Sequence, residues 1–342
     1  MKEKITLAVD VMSGDFGPKV IVPAIIDAAR IYCDTNFILV GKRSAIDPYI
    51  SDGEYNSDQI SFFEASEVVE MDESPALAMR NKKDSSMRKS IELVKNSQAD
   101  ACISAGNTGA LMAISRFVLG MCEGLSRPAI IHPMPSNGKN RKKVYVLDLG
   151  ANVDCSSENL YQFALMGNAF AKFVANIDSP SLGLLNVGSE PNKGTDAIKK
   201  ANDLINDDKI LNYHGYVEGY DIFRGTVDVV VCDGFAGNVA IKASEGLAEF
   251  IIKELKQTIA ANFRYKLCAF FAKPLFKRLA KRFDPNNYNG AAFLGLQGAV
   301  FKSHGGATKI SFIQAINSAR QGAKNEIVSK VKEQLDKHSQ GN

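Results

Sequence analysis

The sequence predicts an α/β fold, an α/β/α sandwich built on a mainly parallel sheet with helices on both faces. Two observations predict it. Short β-branched runs alternate along the chain with stretches of helical apolar periodicity. Four of the apolar runs, within 99–110, 144–154, 182–196 and 227–242, also end in turns of Gly, Asn, Asp and Ser before the next helical pattern. A buried parallel strand passes into a helix N-terminus in this way.

The elements follow in order. A first strand at 5–9 comes directly after Met1-Lys2-Glu3-Lys4, leaving no room for a signal-peptide apolar core, so a cytoplasmic chain is expected. Pro18 suits the first position of a helix through Val22, Ile25, Ile26 and Ala29. Strands at 37–40 and 60–63 come next, and Asp84 is expected to cap a helix through Met87, Ile91 and Val94. Further strands are predicted at 101–104, 129–131, 144–147, 182–187, 227–232 and 299–302, with helices filling most gaps. No Pro- or Ser-rich linker and no fixed-period repeat divides the chain. Residues 1–337 therefore read as one domain, with room for two lobes around one cleft, and only 338–342 read as a loose tail.

Composition excludes several function classes. The chain has 342 residues, 45% hydrophobic and 23% charged, which is ordinary for a globular protein with a large core. A net charge of +3, without an arginine-rich or zinc-finger pattern, gives no basis for nucleic-acid binding. Cys33, Cys102, Cys122, Cys155, Cys232 and Cys268 form no C-x-x-C pair, so neither a zinc site nor a disulfide framework is indicated. No apolar run reaches the roughly 18 residues of a membrane span.

The polar turns carry the chemistry. Glycines allow close backbone approach, helix-start N–H groups donate to anions, and Asn or Ser side chains orient a ligand without adding charge. In open α/β sheets ligands bind at the carboxyl ends of the strands, so these turns point to one shared phosphate-binding crevice. Its candidate residues are Gly14, Asp15, Gly106, Asn107, Thr108, Gly109, Asn152, Gly194, Gly234, Gly237, Asn238 and Lys242. Taken singly, each Asn is as well explained by turn and cap duty. Lys193, between Asn192 and Gly194, is suited to hold phosphate or protonate a leaving group, while His304 ends an apolar strand and titrates near neutrality. Asp10, Asp148, Asp154 and Asp233 read as turn caps, and no metal is called for.

Several blocks carry a family resemblance: Ala8-Val9-Asp10 through Asp15-Phe16-Gly17-Pro18, ADACISAGNTGALMA, Arg127-Pro128-Ala129-Ile130, LDLGANVDC and VDVVVCDGFAGNVAIKASEG. In this order, from residue 5 to about residue 306, the chain resembles the bacterial acyl-ACP:phosphate acyltransferases of phospholipid synthesis (PlsX). The resemblance implies that orthophosphate takes a long-chain fatty acyl group from acyl-ACP, giving an acyl phosphate for glycerol-3-phosphate acylation. It also implies a homodimer, no cofactor, and the architecture shared with phosphotransacetylases and the isocitrate and isopropylmalate dehydrogenases. Met12-Ser13-Gly14-Asp15 stands where the family usually has two glycines.

Phosphate dianion is itself a nucleophile near neutrality, so this reaction calls for no Ser-His-Asp triad or activated cysteine, and no G-x-S-x-G elbow occurs. The protein must align two reactants, stabilise the tetrahedral oxyanion and help the pantetheine thiolate leave. Lys193, His304 and Asn238 are the catalytic candidates. A phosphotransacylase using acyl-CoA fits the same motifs. A nicotinamide-dependent dehydrogenase of this architecture should show G-x-G-x-x-G, and Gly14-Asp15-Phe16-Gly17 does not.

The segment 255–283 carries eight Lys or Arg and no Asp or Glu. Phe263, Leu267, Phe270 and Phe271 share an apolar helical face, and beyond Pro274 Lys277, Arg278, Lys281 and Arg282 flank Leu275, Leu279 and Phe283. A broken, basic, amphipathic helix pair suits an anionic membrane surface or an acidic carrier protein, and equally suits packing in a dimer. A peripherally membrane-associated enzyme is the corresponding expectation, with a membrane glycerol-3-phosphate acyltransferase as a candidate partner whose direct contact the sequence leaves open.

Overall fold

The computed structural model describes residues 4–50, 56–138, 143–283 and 288–341. β1 (Ile5–Asp10) turns through glycines into α1 (Pro18–Ile31), whose first turn accepts Pro18 because no N–H is needed there. β2 (Thr35–Gly41), the short α2 (Arg43–Ile46) and β3 (Ile60–Glu64) complete one edge of the sheet. Then come α3 (Pro75–Asn81), α4 (Ser86–Lys95), β4 (Ala101–Ser104) and α5 (Thr108–Leu119). The other half holds β5 (Ala129–Met134), β6 (Val144–Leu147), α6 (Ser157–Phe173), β7 (Ser181–Leu185), α7 (Asp196–Asp207), β8 (Asn212–Val217), α8 (Gly219–Arg224) and β9 (Val229–Val231). The long α9 (Gly234–Ala261), α10 (Phe263–Phe271) and α11 (Lys273–Phe283) precede β10 (Ala291–Leu294), β11 (Ala299–Lys302), α12 (Lys309–Lys324) and α13 (Ile327–Gly341).

The strands form one 11-stranded sheet in the order β3-β2-β1-β4-β11-β10-β5-β6-β9-β7-β8. Side-chain alternation covers both faces. On β1, Ile5, Leu7 and Val9 enter the core packed by α1 and α12, while Ala8 faces the core packed by α4 and α5. On β9, Val229 and Val231 face one core and Val230 another, beneath α8 and α9. This is the predicted sandwich.

Three antiparallel pairings, β11 with β10, β10 with β5 and β5 with β6, interrupt the parallel order. Strand direction therefore reverses between β5 and β6. The carboxyl ends of β1, β4 and β11 lie at one end of the sheet, and those of β6, β9 and β7 at the opposite end. The single crevice expected from the four polar turns is corrected by this reversal.

Two strands escape the sequence pattern. β8, NYHGYV, carries polar and glycine residues at an edge, and β10, AAFL, is too weakly β-forming to register. Asp84 is not the cap of α4: Ser85 is, its hydroxyl accepting from Arg88 N–H at 3.4 Å. Asp84 instead accepts from the Ser66 hydroxyl and N–H, which hold its carboxyl below the ordinary range. The backbone of α13 continues to Gly341, into the segment that composition set apart as a tail.

Candidate active site

At the first end of the sheet three turns meet. Asp10 is fully buried at the end of β1, and its Oδ2 accepts from the Ser104 hydroxyl of β4 at 2.7 Å. Ser13 Oγ accepts from Ala105 N–H at 3.0 Å, and Ser104 Oγ accepts from Gly106 N–H at 3.1 Å, so two serines tie the β1 turn to the β4 turn. Burial raises the Asp10 carboxyl above its ordinary value, against the lowering effect of the neighbouring hydroxyls. Gly14 has φ +81°, and a Cβ there would stand 2.9 Å from both Ala105 Cβ and the Gly305 carbonyl. Only glycine lets the three turns close so tightly. Asp15 N–H donates to that same carbonyl at 3.0 Å.

Asn107 is the cap of α5, its Oδ1 accepting from Ala110 N–H at 3.0 Å while its amide donates to the Met71 and Glu73 carbonyls. The Asn107 side chain is thus spent on structure. Thr108 and Gly109 follow it in the first turn, where a Cβ at Gly109 would press on Pro75 Cγ at 2.9 Å. From β11, Lys302 reaches the Ala105 carbonyl at 3.3 Å and the Ser303 carbonyl. Burial pulls its ammonium down to about 8, partly opposed by Asp15 and Asp10. His304 is exposed beside it. Its Nδ1 accepts from Gly306 N–H at 3.1 Å, and desolvation, with Lys242 and Lys302 nearby, pulls the imidazole below its ordinary value.

At the opposite end, Asp148 follows β6 and accepts from the N–H groups of Ile130, Leu149 and Asn152. Asn152 is buried, donating to the Pro128 carbonyl and to Asp148, which makes it a brace. Asp233 caps α9 through Ala236 N–H at 2.7 Å, as turn chemistry predicts. Gly234 and Gly237 are buried in the first turn of α9 against the Gly150–Asn152 turn and the Asp148 carbonyl, whereas Asn238 is exposed with its amide beside Gly150. Lys193 is exposed in the turn after β7, where Asn186 Nδ2 donates to its carbonyl at 3.3 Å. Gly194, with φ +88°, has Asn186 packed against it.

The structure therefore gathers Gly14, Asp15, Gly106, Asn107, Thr108, Gly109 and His304 at one end, and Asn152, Gly194, Gly234, Gly237, Asn238 and Lys193 at the other. α9 links them. It starts at the second end and crosses the face of β6, so that Ala240, Ile241 and Ser244 meet Met134 at the end of β5. Lys242, one helical turn beyond Asn238, lies near enough to influence His304 and pairs with Glu245 at 2.8 Å.

Lys302, Ser13 and Ser104 were not singled out by sequence reasoning. The signal for Lys302 was its place as the last residue of an apolar strand, two residues before His304 and its two glycines. His132, given no role from sequence, lies on β5, where burial pulls it down to about 4. The thiols of Cys102, Cys155 and Cys232 are pushed up by burial, that of Cys155 to about 12, so they are poor nucleophiles. Among the described residues no group of three or more His, Cys, Asp or Glu is arranged to hold a metal, and no helix is long and apolar enough to cross a membrane.

Phe263, Leu267, Phe271, Lys277 and Arg278 are all exposed on α10 and α11. The helix breaks fall at Asn262 and Ala272, and Pro274 sits in the first turn of α11. The side chains of Lys281 and Arg282 lie outside the described residues.

Residues 5–330 match the model of a family described as "Fatty acid synthesis protein". The chain belongs to that family. It is 47% identical over 335 residues to a "Phosphate acyltransferase" of Legionella pneumophila (strain Corby), covering 98% of this chain and 97% of that one. A "Phosphate acyltransferase" of Coxiella burnetii (strain Dugway 5J108-111) is 49% identical over 332 residues, 96% of each chain. Among solved structures, a phosphotransacetylase from Streptococcus pyogenes superposes with a TM-score of 0.61 over 94% of this chain and 95% of its own, at 15% identity. A 4-hydroxythreonine-4-phosphate dehydrogenase from Klebsiella pneumoniae gives 0.55 at 12% identity, covering 94% and 99%. These two likenesses show that this member of the family has the predicted fold.

Proposed function

We propose that this acyltransferase moves a long-chain fatty acyl group from acyl-ACP to orthophosphate, giving an acyl phosphate for phospholipid synthesis. The observation that carries the reading is the nearly full-length match to phosphate acyltransferases at 47% and 49% identity. A phosphate oxygen attacks the thioester carbonyl, the tetrahedral intermediate collapses, and the carrier thiolate leaves and takes a proton. The desolvated, high-pKa cysteines are consistent with phosphate itself as the nucleophile. The candidate donors for the oxyanion or the leaving sulfur are His304, at one end of the sheet, or Lys193 and Asn238, at the other.

A second copy of the chain is part of this reading. Only Gly234 and Gly237 are buried along the 28 residues of α9, and Leu247, Phe250, Ile251 and Leu255 are exposed on it. The exposed apolar and basic residues of α10 and α11 support docking on an anionic membrane or on the acidic carrier, where product would pass to a glycerol-3-phosphate acyltransferase.

The test is incubation with long-chain acyl-ACP or acyl-CoA, with and without orthophosphate, and trapping of acyl phosphate with hydroxylamine. Phosphate-dependent consumption with strong preference for acyl-ACP is expected. Preference for acyl-CoA would make the chain a phosphotransacylase of the alternative kind, and equal consumption without phosphate would make it a thioesterase.

A further inference from the structure

The acceptor phosphate needs a cation, and the end of β11 offers one. Lys302 is in register with Ser104 on β4, and Ser104 with Asp10 on β1, so its ammonium stands where the three turns converge. Two of its donors are held by the carbonyls of Ala105 and Ser303. Among the described residues no further hydrogen-bond acceptor is found for it. Asp10 and Asp15 attract it and Lys242 repels it, but neither carboxylate closes on it as an ion pair. A desolvated ammonium without a carboxylate partner is costly, and the cost falls when an anion arrives. The surrounding turns, with Gly14 and Gly305 in near contact and Gly306 beside His304, bring backbone to the same place.

We propose that Lys302 is a phosphate-binding residue of the acyl-transfer site, its ammonium holding the attacking orthophosphate between the turns that carry Gly14 and Gly306. This assignment rests on the phosphate-acyltransferase reading. Binding here offsets one charge of the dianion and orders it near His304, whose imidazole lies within the influence of Lys302. A mobile surface lysine would do neither.

The experiment varies orthophosphate at saturating acyl-ACP for the full chain, Lys302→Met and Lys302→Arg. Loss of one charge-assisted hydrogen bond should raise the phosphate KM of Lys302→Met by roughly tenfold or more, with the KM for acyl-ACP within about twofold of the parent. Phosphate KM in the parent should also rise as pH passes through about 8, where Lys302 loses its proton. The titratable and charged groups facing it, Asp10, Asp15, His304 and Lys242 of α9, are unchanged in Lys302→Arg, so loss of that rise in the arginine variant assigns it to Lys302. An active Lys302→Met with an unchanged phosphate KM overturns the assignment, as does an arginine variant that keeps the same pH dependence. If Lys302→Met is folded but inactive, thermal melts with inorganic phosphate decide: a shift in the parent alone supports the assignment, and equal shifts overturn it. A parent that consumes no thioester overturns the acyl-transfer reading, and the same melts still report on Lys302. A parent neither active nor shifted by phosphate overturns both.

Discussion

The backbone N–H of Gly306 donates to His304 Nδ1 at 3.1 Å. A ring nitrogen that accepts cannot carry the proton, so the neutral imidazole is the Nε2–H tautomer. The imidazole is also held below its ordinary value of 6.5. At neutral pH His304 is therefore a neutral donor through Nε2.

His304→Gln, whose amide can reach the Nε2 position, should keep more turnover than His304→Asn. The asparagine variant should fall by roughly 100-fold, the scale of a lost proton donor. The ordering of kcat between the two variants is the measurement; asparagine above glutamine would assign the work to Nδ1.

Lys193→Ala should cut turnover by at least roughly 100-fold if the ammonium serves the oxyanion or the leaving sulfur. Its melting temperature should stay at the parent value, because the side chain is exposed and the turn is tied through the backbone carbonyl to Asn186. Asn238→Ala should impair turnover as well. Near-normal rates at saturating phosphate in Lys193→Ala would leave that lysine on the solvated surface.

Gly237→Ala separates helix propensity from packing. In an ordinary helix position alanine would stabilise by about 1 kcal/mol over glycine. Here its Cβ would collide with the Asp148 carbonyl oxygen and stand 2.9 Å from Cys232 Sγ. The variant should lose about 1–3 kcal/mol or more of stability in urea unfolding, because α9 cannot shift without opening the β6 turn. A stabilised variant would contradict this packing.

Asp34 joins the β1–β2 edge to α12. Arg320 Nη2 donates to its Oδ2 at 2.7 Å and Lys324 donates to the same oxygen. These bonds, that of Arg320 first, hold its carboxyl well below the ordinary value of 3.8. A depressed carboxylate stabilises the fold above its unfolded value and loses that contribution as pH falls through about 4 toward the folded value. Asp34→Asn should therefore melt below the parent at neutral pH, with the gap narrowing in acid. A gap independent of pH would mean that charge is not what the bridge contributes.

For the basic face, Lys277→Glu/Arg278→Glu should weaken sedimentation with anionic liposomes, or raise the KM for acyl-ACP, without changing kcat. If the properly folded protein shows neither change, α11 docks on neither surface.

The sandwich was legible because its signals are local. Pro18, the β-branched runs and the Gly-Asn turns each act within one element, and β1, β4, β6 and β11 lie where the pattern placed them. β8 and β10 were missed because their pairing comes from neighbours rather than from their own composition. Asp84 was mistaken for a cap because Asp and Ser are both good caps and adjacent, and only the backbone shows which hydroxyl or carboxylate meets Arg88 N–H.

By itself, the sequence determined which residues form polar strand-end turns and which helices carry the basic face, since both follow from residue type and spacing. Tertiary structure alone decided which turns meet. The antiparallel pairings of β11 with β10, β10 with β5 and β5 with β6 depend on which strands become neighbours in the sheet, and together they send His304 and Lys193 to opposite ends of it. The parallel pairing of β11 with β4 sets Lys302 against Ala105, almost two hundred residues away. Burial and register, not local pattern, bring its ammonium down to about 8.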